Sequence, residues 1–329
     1  MTSACQNCDS TDTQRLYSAP AFDNGVSGCR EAFDLGRCRQ CHLVSAIDVT
    51  AEMLDDAYAG DYYGTSNAKF SGLIESVLAG LARRRARKLI DRWQKGHSDP
   101  ASSPAVLDIG AGRGVMLRAF RSLGADVLGL ERSQFDIPPD MAGHIVVGTI
   151  SDPVHDKRCF DMVLIWHVLE HIDHAGKLLA DVAAHMKEGA LLVIAVPNYA
   201  SLQQQLFRGD WFHLDLPRHI LHFDARWLTE HLQQSGFDVE LASHLDIVQG
   251  PYGFIQSALN RLCPGTELNG LYAWLKRTQP STPLARVTVL KWVVLATLLA
   301  PFALAEAIVG ALAQRGACVT IVARRRNVR

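Results

Sequence analysis

A chain of 329 residues is long enough for one doubly wound core with small additions. Its 33 basic and 34 acidic residues give a formal net charge of −1, which argues against nucleic acid as the main partner and leaves only local basic patches to consider. Aromatics at 8% and charged residues at 20%, without repeats or long low-complexity tracts, exclude a fibrous or disordered chain.

The first ten residues are polar, with no basic stretch leading into an apolar core, so no secretory signal is expected and a reducing cytoplasm is. Cys5, Cys8, Cys38 and Cys41 then spell C-x-x-C twice. Two such knuckles suit one tetrahedral zinc ion, and a site closed by four thiolates would be structural, because no coordination position stays open for substrate. The spacing between the pairs is somewhat long and Cys29 lies inside it as an extra thiol, so the ligand set is three or four of these, with the four paired cysteines preferred. Residues 1–45 are read as a zinc-ribbon-like leader, and 46–101 as a linker and helical region.

Within that region Asp61, Tyr62 and Tyr63 stand in a turn-rich aromatic segment, and a helix is expected over Ser71 to Gln94. Its Arg83, Arg84, Arg85, Arg87 and Lys88 read as solvated helix surface. Gly96 to Pro104 reads as a linker.

From Ala105 the pattern changes to alternating strands and helices. A β-type run, Ala105 to Ile109, ends on an acid, Asp108, and breaks into Gly110, Gly112 and Gly114 before a helix near Val115. Glycines there let backbone turn tightly and approach a ligand. The dinucleotide pattern G-x-G-x-x-G fails, since Val115 holds its third slot, and that favours a different adenosine cofactor. A second run, Asp126 to Leu130, ends in Glu131, placed for ribose hydroxyls. A third, His144 to Val147, leads into Gly148, Thr149 and Ile150. Phe160 to Trp166 and Ala190 to Val196 read as strands buried on both faces, with a helix from Ala175 to Lys187 between them. The expected fold is α/β and doubly wound, Rossmann-like, with a parallel sheet.

VLDIGAGRG, Glu131, FDMVLIWHVLEHI and ALLVIAVPN together resemble the class I S-adenosylmethionine-dependent methyltransferases, in particular the subgroup with an LEH turn after the fourth core strand. The resemblance covers roughly residues 102–237. It implies a seven-stranded sheet and S-adenosylmethionine as cofactor. It implies that Asp108, Gly110, Ala111, Gly112 and Gly114 hold the methionine portion, Glu131 the ribose and Thr149 with Ile150 the adenine edge, while His167 stands beside the reacting centre. The usual acid after Gly148 is replaced by Thr149, so backbone at Ile150 or the carboxylate of Asp152 would take over its contact.

His167, Glu170 and His171 also spell H-x-x-E-H, a zinc peptidase spacing that needs all three on one helix. His167 abuts a buried strand, which disfavours that reading. After the fifth core strand, Asp210 to Phe223 concentrates aromatics with His213, Asp215, Arg218, His219 and His222. A loop at this end of a parallel sheet covers the acceptor, so residues 197–225 form the acceptor-pocket loop, and His219 or His222 is the candidate general base. A helix, Ala225 to Ser235, follows.

Phe237 to Leu241 and Cys318 to Ala323 read as the sixth and seventh core strands, so the core comprises 102–246 plus 317–329, and a helical apolar insertion fills 247–316. Val287 to Ala313 is long enough to cross a bilayer. A single crossing conflicts with strands six and seven sharing one sheet. The consistent choices are a helical cover over the acceptor pocket, a re-entrant hairpin, or a segment lying in the bilayer surface, the last being preferred, with burial against the core or a partner copy as the alternative. Arg324, Arg325, Arg326 and Arg329 could meet anionic headgroups. The expectation is a methyltransferase at the cytoplasmic membrane face, acting on a small or lipid-linked acceptor, foremost a sugar hydroxyl in cell-envelope glycan synthesis, because the four-cysteine leader resembles that of bacterial sugar methyltransferases. The alternatives are C- or N-methylation of a quinone-like small molecule, and a zinc-ribbon scaffold that no longer catalyses.

Overall fold

The computed structural model describes residues 4–21, 32–58, 72–95, 102–132, 137–152, 158–263, 268–275 and 286–327. Cys29, the Asp61, Tyr62 and Tyr63 segment and most of the 96–104 linker lie outside the described residues.

The leader contributes β1 (Thr13–Pro20), β2 (Ala32–Cys38) and β3 (Val44–Ala46), followed by helices α1 (Ala51–Tyr58) and α2 (Gly72–Gln94). The core then runs β4 (Ala105–Ile109), α3 (Val115–Arg121), β5 (Asp126–Glu131), β6 (Ile145–Val147), β7 (Phe160–Trp166), α4 (Ala175–Ala184) and β8 (Met186–Pro197). After α5 (Leu202–Phe207) and the two-residue β9 (Leu221–His222) come α6 (Ala225–Gln234) and β10 (Phe237–Ser243). The insertion is α7 (Gln249–Leu262), α8 (Gly270–Leu275) and α9 (Arg286–Leu312), and β11 (Cys318–Arg325) closes the sheet.

Seven strands form one Rossmann-like sheet in the order β10-β11-β8-β7-β4-β5-β6. Pairing is parallel from β8 through to β6, and β11 runs antiparallel between β8 and β10. Apolar runs such as FDMVLIW are buried on both faces, because helices cover both sides. Leu179 of α4 and Leu228 of α6 pack on one face, and Trp93 of α2 and Phe120 of α3 on the other. β8 starts at Met186 rather than Ala190, and α4 stops at Ala184. The cause is local: Gly189 takes φ +74°, and the register slips so that Phe160 faces Met186 while Met162 faces Leu191.

The leader strands belong to a second sheet, β1-β2-β3-β9, in which Val44 pairs with His222 and Ser45 with Leu221. The leader is thus joined by hydrogen bonds to the histidine loop. In the insertion, α9 is one continuous helix through Pro301 and packs lengthwise on α7.

Candidate functional site

The site is assembled at the carboxyl ends of β4, β5, β7 and β8. Gly110, Gly112 and Gly114 take φ of +71°, +48° and +75°, a region closed to most side chains. A Cβ on Gly110 would stand 2.3 Å from Cγ2 of Val168, and one on Gly114 2.8 Å from Sδ of Met141, whereas one on Gly112 would meet nothing within 4 Å. Gly110 and Gly114 are therefore glycines for packing, and Gly112 leaves bare backbone facing open space. The N–H groups of Gly110 and Ala111 both donate to the Leu130 carbonyl, which ties the turn to β5.

Glu131, buried at the end of β5, accepts the Gly112 N–H on Oε2 at 2.8 Å and the Arg132 N–H on Oε1 at 3.0 Å. A carboxylate is the acceptor type that receives the hydroxyls of a vicinal diol. Burial, with the Glu131 charge added, pushes the Asp108 carboxyl up to about 8. A cationic group brought beside this pair would restore its ionised form. Bare backbone at Gly112, a diol acceptor and a carboxyl calling for a cation together fit the aminoacyl nucleoside implied by the resemblance.

Ile150 is buried, and Thr149 holds the carboxylate of Asp152 through its N–H at 2.7 Å and its hydroxyl at 3.2 Å. The Asp152 carboxylate thus lies against the backbone after Gly148, where a Cβ on Gly148 would meet it at 2.5 Å.

Val168, which packs on Gly110, belongs to the HVLEH turn, so the cofactor turn and the histidines form one site. His167 takes φ +53° and its N–H donates to Ala195 of β8, while Leu169–His171 is a single 3-10 turn. The three residues of H-x-x-E-H do not share an α-helix, which removes the peptidase reading. Glu170 is 2% exposed, and neither carboxylate oxygen has a hydrogen-bond partner among the described residues. Its neighbours are His167 Nδ1 at 3.5 Å and His219 Nε2 at 4.0 Å, too long for good hydrogen bonds. Burial works to raise this carboxyl, but the three surrounding histidines outweigh it and hold it at about 2.

Carbonyl oxygens only accept, and this assigns the histidine tautomers. His171 Nδ1 lies 3.0 Å from the Arg218 carbonyl and His219 Nδ1 lies 2.8 Å from the His213 carbonyl, so both carry their proton on Nδ1. The Nε2 of His219 then points its lone pair toward Glu170 and toward Asp215, at 3.8 Å. Asp215 is clamped by Arg218, whose charge overcomes burial and keeps the carboxyl below its usual range. One ligand atom from each of Glu170, His171 and His219 falls within 4.8 Å of the others, so the cluster can serve as a proton acceptor braced by carboxylates or can hold a divalent ion.

His222 sits in β9 beside Tyr199, the two rings 5.5 Å apart, with Nε2 buried and without a hydrogen-bond partner among the described residues. Burial lowers it to about 3. His213 donates from Nε2 to the Gln249 carbonyl of α7 at 3.2 Å and lies under Gly253, an anchoring position. In the sequence, Glu170 and His171 are marked only by the LEH turn and the H-x-x-E-H spelling, with no role of their own assigned. Tyr58, which reaches His171 Nδ1 at 2.9 Å from α1, left no pattern.

In the leader, Sγ atoms of Cys5 and Cys41 lie 3.6 Å apart, as do those of Cys8 and Cys38, and all four fall within 4.8 Å. None is in a disulfide. A tetrahedron with Zn–S bonds of about 2.3 Å has edges of about 3.8 Å, so the donor set fits. The Cys41 hydrogen bond, working against burial, brings the Cys5 thiol down to about 5, and the same bond holds the proton on Cys41. Both knuckles are docked on the core. Asn7 Oδ1 accepts the Gly176 N–H at the start of α4, the Gln6 carbonyl accepts the His174 N–H, and the Cys41 carbonyl accepts Trp227 Nε1–H of α6.

Residues 80–242 match the family model described as Methyltransferase domain. Two curated proteins named ubiquinone biosynthesis O-methyltransferase are among the relatives. That of Rhodopseudomonas palustris (strain BisA53) is 29% identical over 143 residues, covering 40% of this chain and 56% of that protein. That of Bradyrhizobium sp. (strain ORS 278) is 33% identical over 100 residues, covering 28% and 40%. The chain therefore spans about half the length of the curated relatives it matches. A solved SAM-dependent methyltransferase from Archaeoglobus fulgidus superposes with a TM-score of 0.44 at 20% identity, covering 75% of this chain and 94% of that one.

Proposed function

We propose that this chain, which carries a methyltransferase domain over residues 80–242 on a class I Rossmann-like sheet, transfers the methyl group of S-adenosylmethionine to a hydroxyl of a lipid-linked acceptor. The observation that carries the reading is the contact of Val168 with Gly110, which joins the glycine turn to the histidine cluster in one site. Bound S-adenosylmethionine supplies a methyl already activated on a sulfonium. The protein has to hold, align and desolvate.

Asp108 and the bare backbone at Gly112 hold the amino acid end, Glu131 the ribose, and Thr149, Ile150 and Asp152 the adenine edge. His219 is the base. Its Nδ1–H is fixed on the His213 carbonyl, its Nε2 receives the hydroxyl proton as the oxygen attacks the methyl, and Glu170 and Asp215 stabilise the imidazolium. His167 and His222 complete the polar wall. Cys5, Cys8, Cys38 and Cys41 hold one structural zinc ion, supported by their spacing and free thiols.

A sugar hydroxyl is the acceptor suggested by the leader. The name borne by the relatives, ubiquinone biosynthesis O-methyltransferase, supports a second reading in which the hydroxyl belongs to a prenylated quinol. The test is incubation of the full chain with isotopically labelled S-adenosylmethionine and two panels, lipid-linked sugars and prenylated hydroxyquinols. Label in an ether-linked methyl of either panel identifies the acceptor. His219→Ala is expected to slow turnover about 10²- to 10⁴-fold at unchanged cofactor affinity. Cofactor binding without label in either panel would overturn the hydroxyl assignment.

A further inference from the structure

The 27-residue helix α9 is apolar on every side. Its inner face is settled: Trp292, Ala303, Ala307 and Gly310 are buried against the insertion, and small residues let the helices close up, Ala307 lying 3.7 Å from where a Cβ of Gly250 on α7 would stand. Its outer face has no partner among the described residues. Val287, Leu290, Leu298, Phe302, Ile308 and Leu312 are 57% to 82% exposed. An 18-residue window reaches a mean hydropathy of 2.1 with 17% of it buried. A soluble surface helix would put charges on that face, and a helix apolar all round belongs in a core or in lipid.

Burial of residues from Trp292 to Gly310 on the folded insertion keeps α9 flat against the protein over about 27 Å, at 1.5 Å per residue. That geometry is incompatible with α9 crossing a bilayer end to end.

The charges that α9 and its flanks carry outward are basic. Arg286 and Lys291 are exposed at the start of α9 and Arg315 follows its end, while Glu306, its only acid, turns inward to accept a hydrogen bond from Gln203 at 2.6 Å. Near the other end, exposed Leu245 and Ile247 flank Asp246, whose Oδ1 accepts the N–H groups of Val248 and Gln249 and whose charge interacts with Arg85 of α2.

We propose that the outer face of α9 lies in the plane of one leaflet of an anionic phospholipid bilayer, with the cations around it on the headgroups. The occupant is lipid rather than a second copy of the chain, because a copy would bring the same cations against these. This goes beyond the methyl-transfer reading and does not depend on it. It also gives the acceptor site a place. Gln203 donates to both Glu306 of α9 and the Gly250 carbonyl of α7, whose Gln249 carbonyl holds His213, whose carbonyl holds His219. The docked helix is therefore linked to the candidate base through four hydrogen bonds and the Gln249–Gly250 backbone.

The experiment is flotation of the full chain with vesicles of phosphatidylcholine alone and of phosphatidylcholine with about one-third phosphatidylglycerol, alongside its molar mass in solution. Wild type is expected to float with the mixed vesicles, several-fold less with the neutral ones, and the double variant Leu298→Glu/Phe302→Glu at least tenfold less, with an unchanged melting temperature because both sites are exposed. Lys291→Glu should weaken binding to the mixed vesicles alone. Failure of wild type to float with mixed vesicles, or flotation of the double variant like wild type, overturns the proposal. So does a wild-type dimer that the double variant converts to monomer without any vesicle binding, which would make the face a contact between copies.

Discussion

Gly110 and Gly112 stand two residues apart with the same backbone handedness and different neighbours, so alanine should separate their roles. At Gly110 the new methyl would enter Val168, adding overpacking to left-handed strain, a loss of roughly 2 to 4 kcal/mol. At Gly112 the strain of about 1 kcal/mol stands alone, because the methyl points into open space. Thermal melts and calorimetric titration with S-adenosylmethionine check this. Gly110→Ala should lower the melting temperature markedly, whereas Gly112→Ala should melt near wild type yet bind cofactor at least tenfold more weakly. Undiminished binding by Gly112→Ala would remove the methionine portion from that turn. The glycines were legible as a pattern, but which of them serve packing was not, since Val168 and Met141 are far away in sequence.

At the scale of elements, the leader sheet borrows β9 from the histidine loop, and its two knuckles dock on α4 and α6. Removing the zinc ion proposed for the four thiols should therefore loosen more than the leader. Full chain treated with a chelator is expected to show faster hydrogen exchange at His174, at Gly176 and along β9, and a lower melting temperature reversed by zinc. Exchange unchanged at those amides would mean that the knuckles hold without metal. The paired cysteines announced themselves by spacing. Asn7 as the partner of Gly176 did not, because an asparagine in a polar leader has no pattern to break.

Across the whole molecule, burial is the first cause that lowers His171 to about 4, His213 to about 3 and His222 to about 3. In the unfolded chain each takes a proton near pH ~6.5, whereas in the folded protein it does so only near or below pH 4. Unfolding thus binds protons in between. Stability is fully present above pH ~6.5 and is lost as pH falls, by about 1.4 kcal/mol per unit for each histidine. Denaturant midpoints at pH 7.5 and 5.5 test this, with bound zinc measured alongside because acid also releases thiolate ligands. Equal midpoints with zinc retained would contradict it.

The α/β alternation, the glycine turn, Glu131, the paired cysteines and the apolar insertion were determined by the sequence alone, because periodicity and local turn chemistry act over a few residues. The slip around Gly189, the union of β3 with β9, the tautomers of His171 and His219, and the flat seating of α9 on α7 were decided by the tertiary structure. Each depends on groups that only the folded chain brings together: a carbonyl from a distant loop chooses which ring nitrogen keeps its proton, and one buried helix face decides how an apolar segment can meet a bilayer.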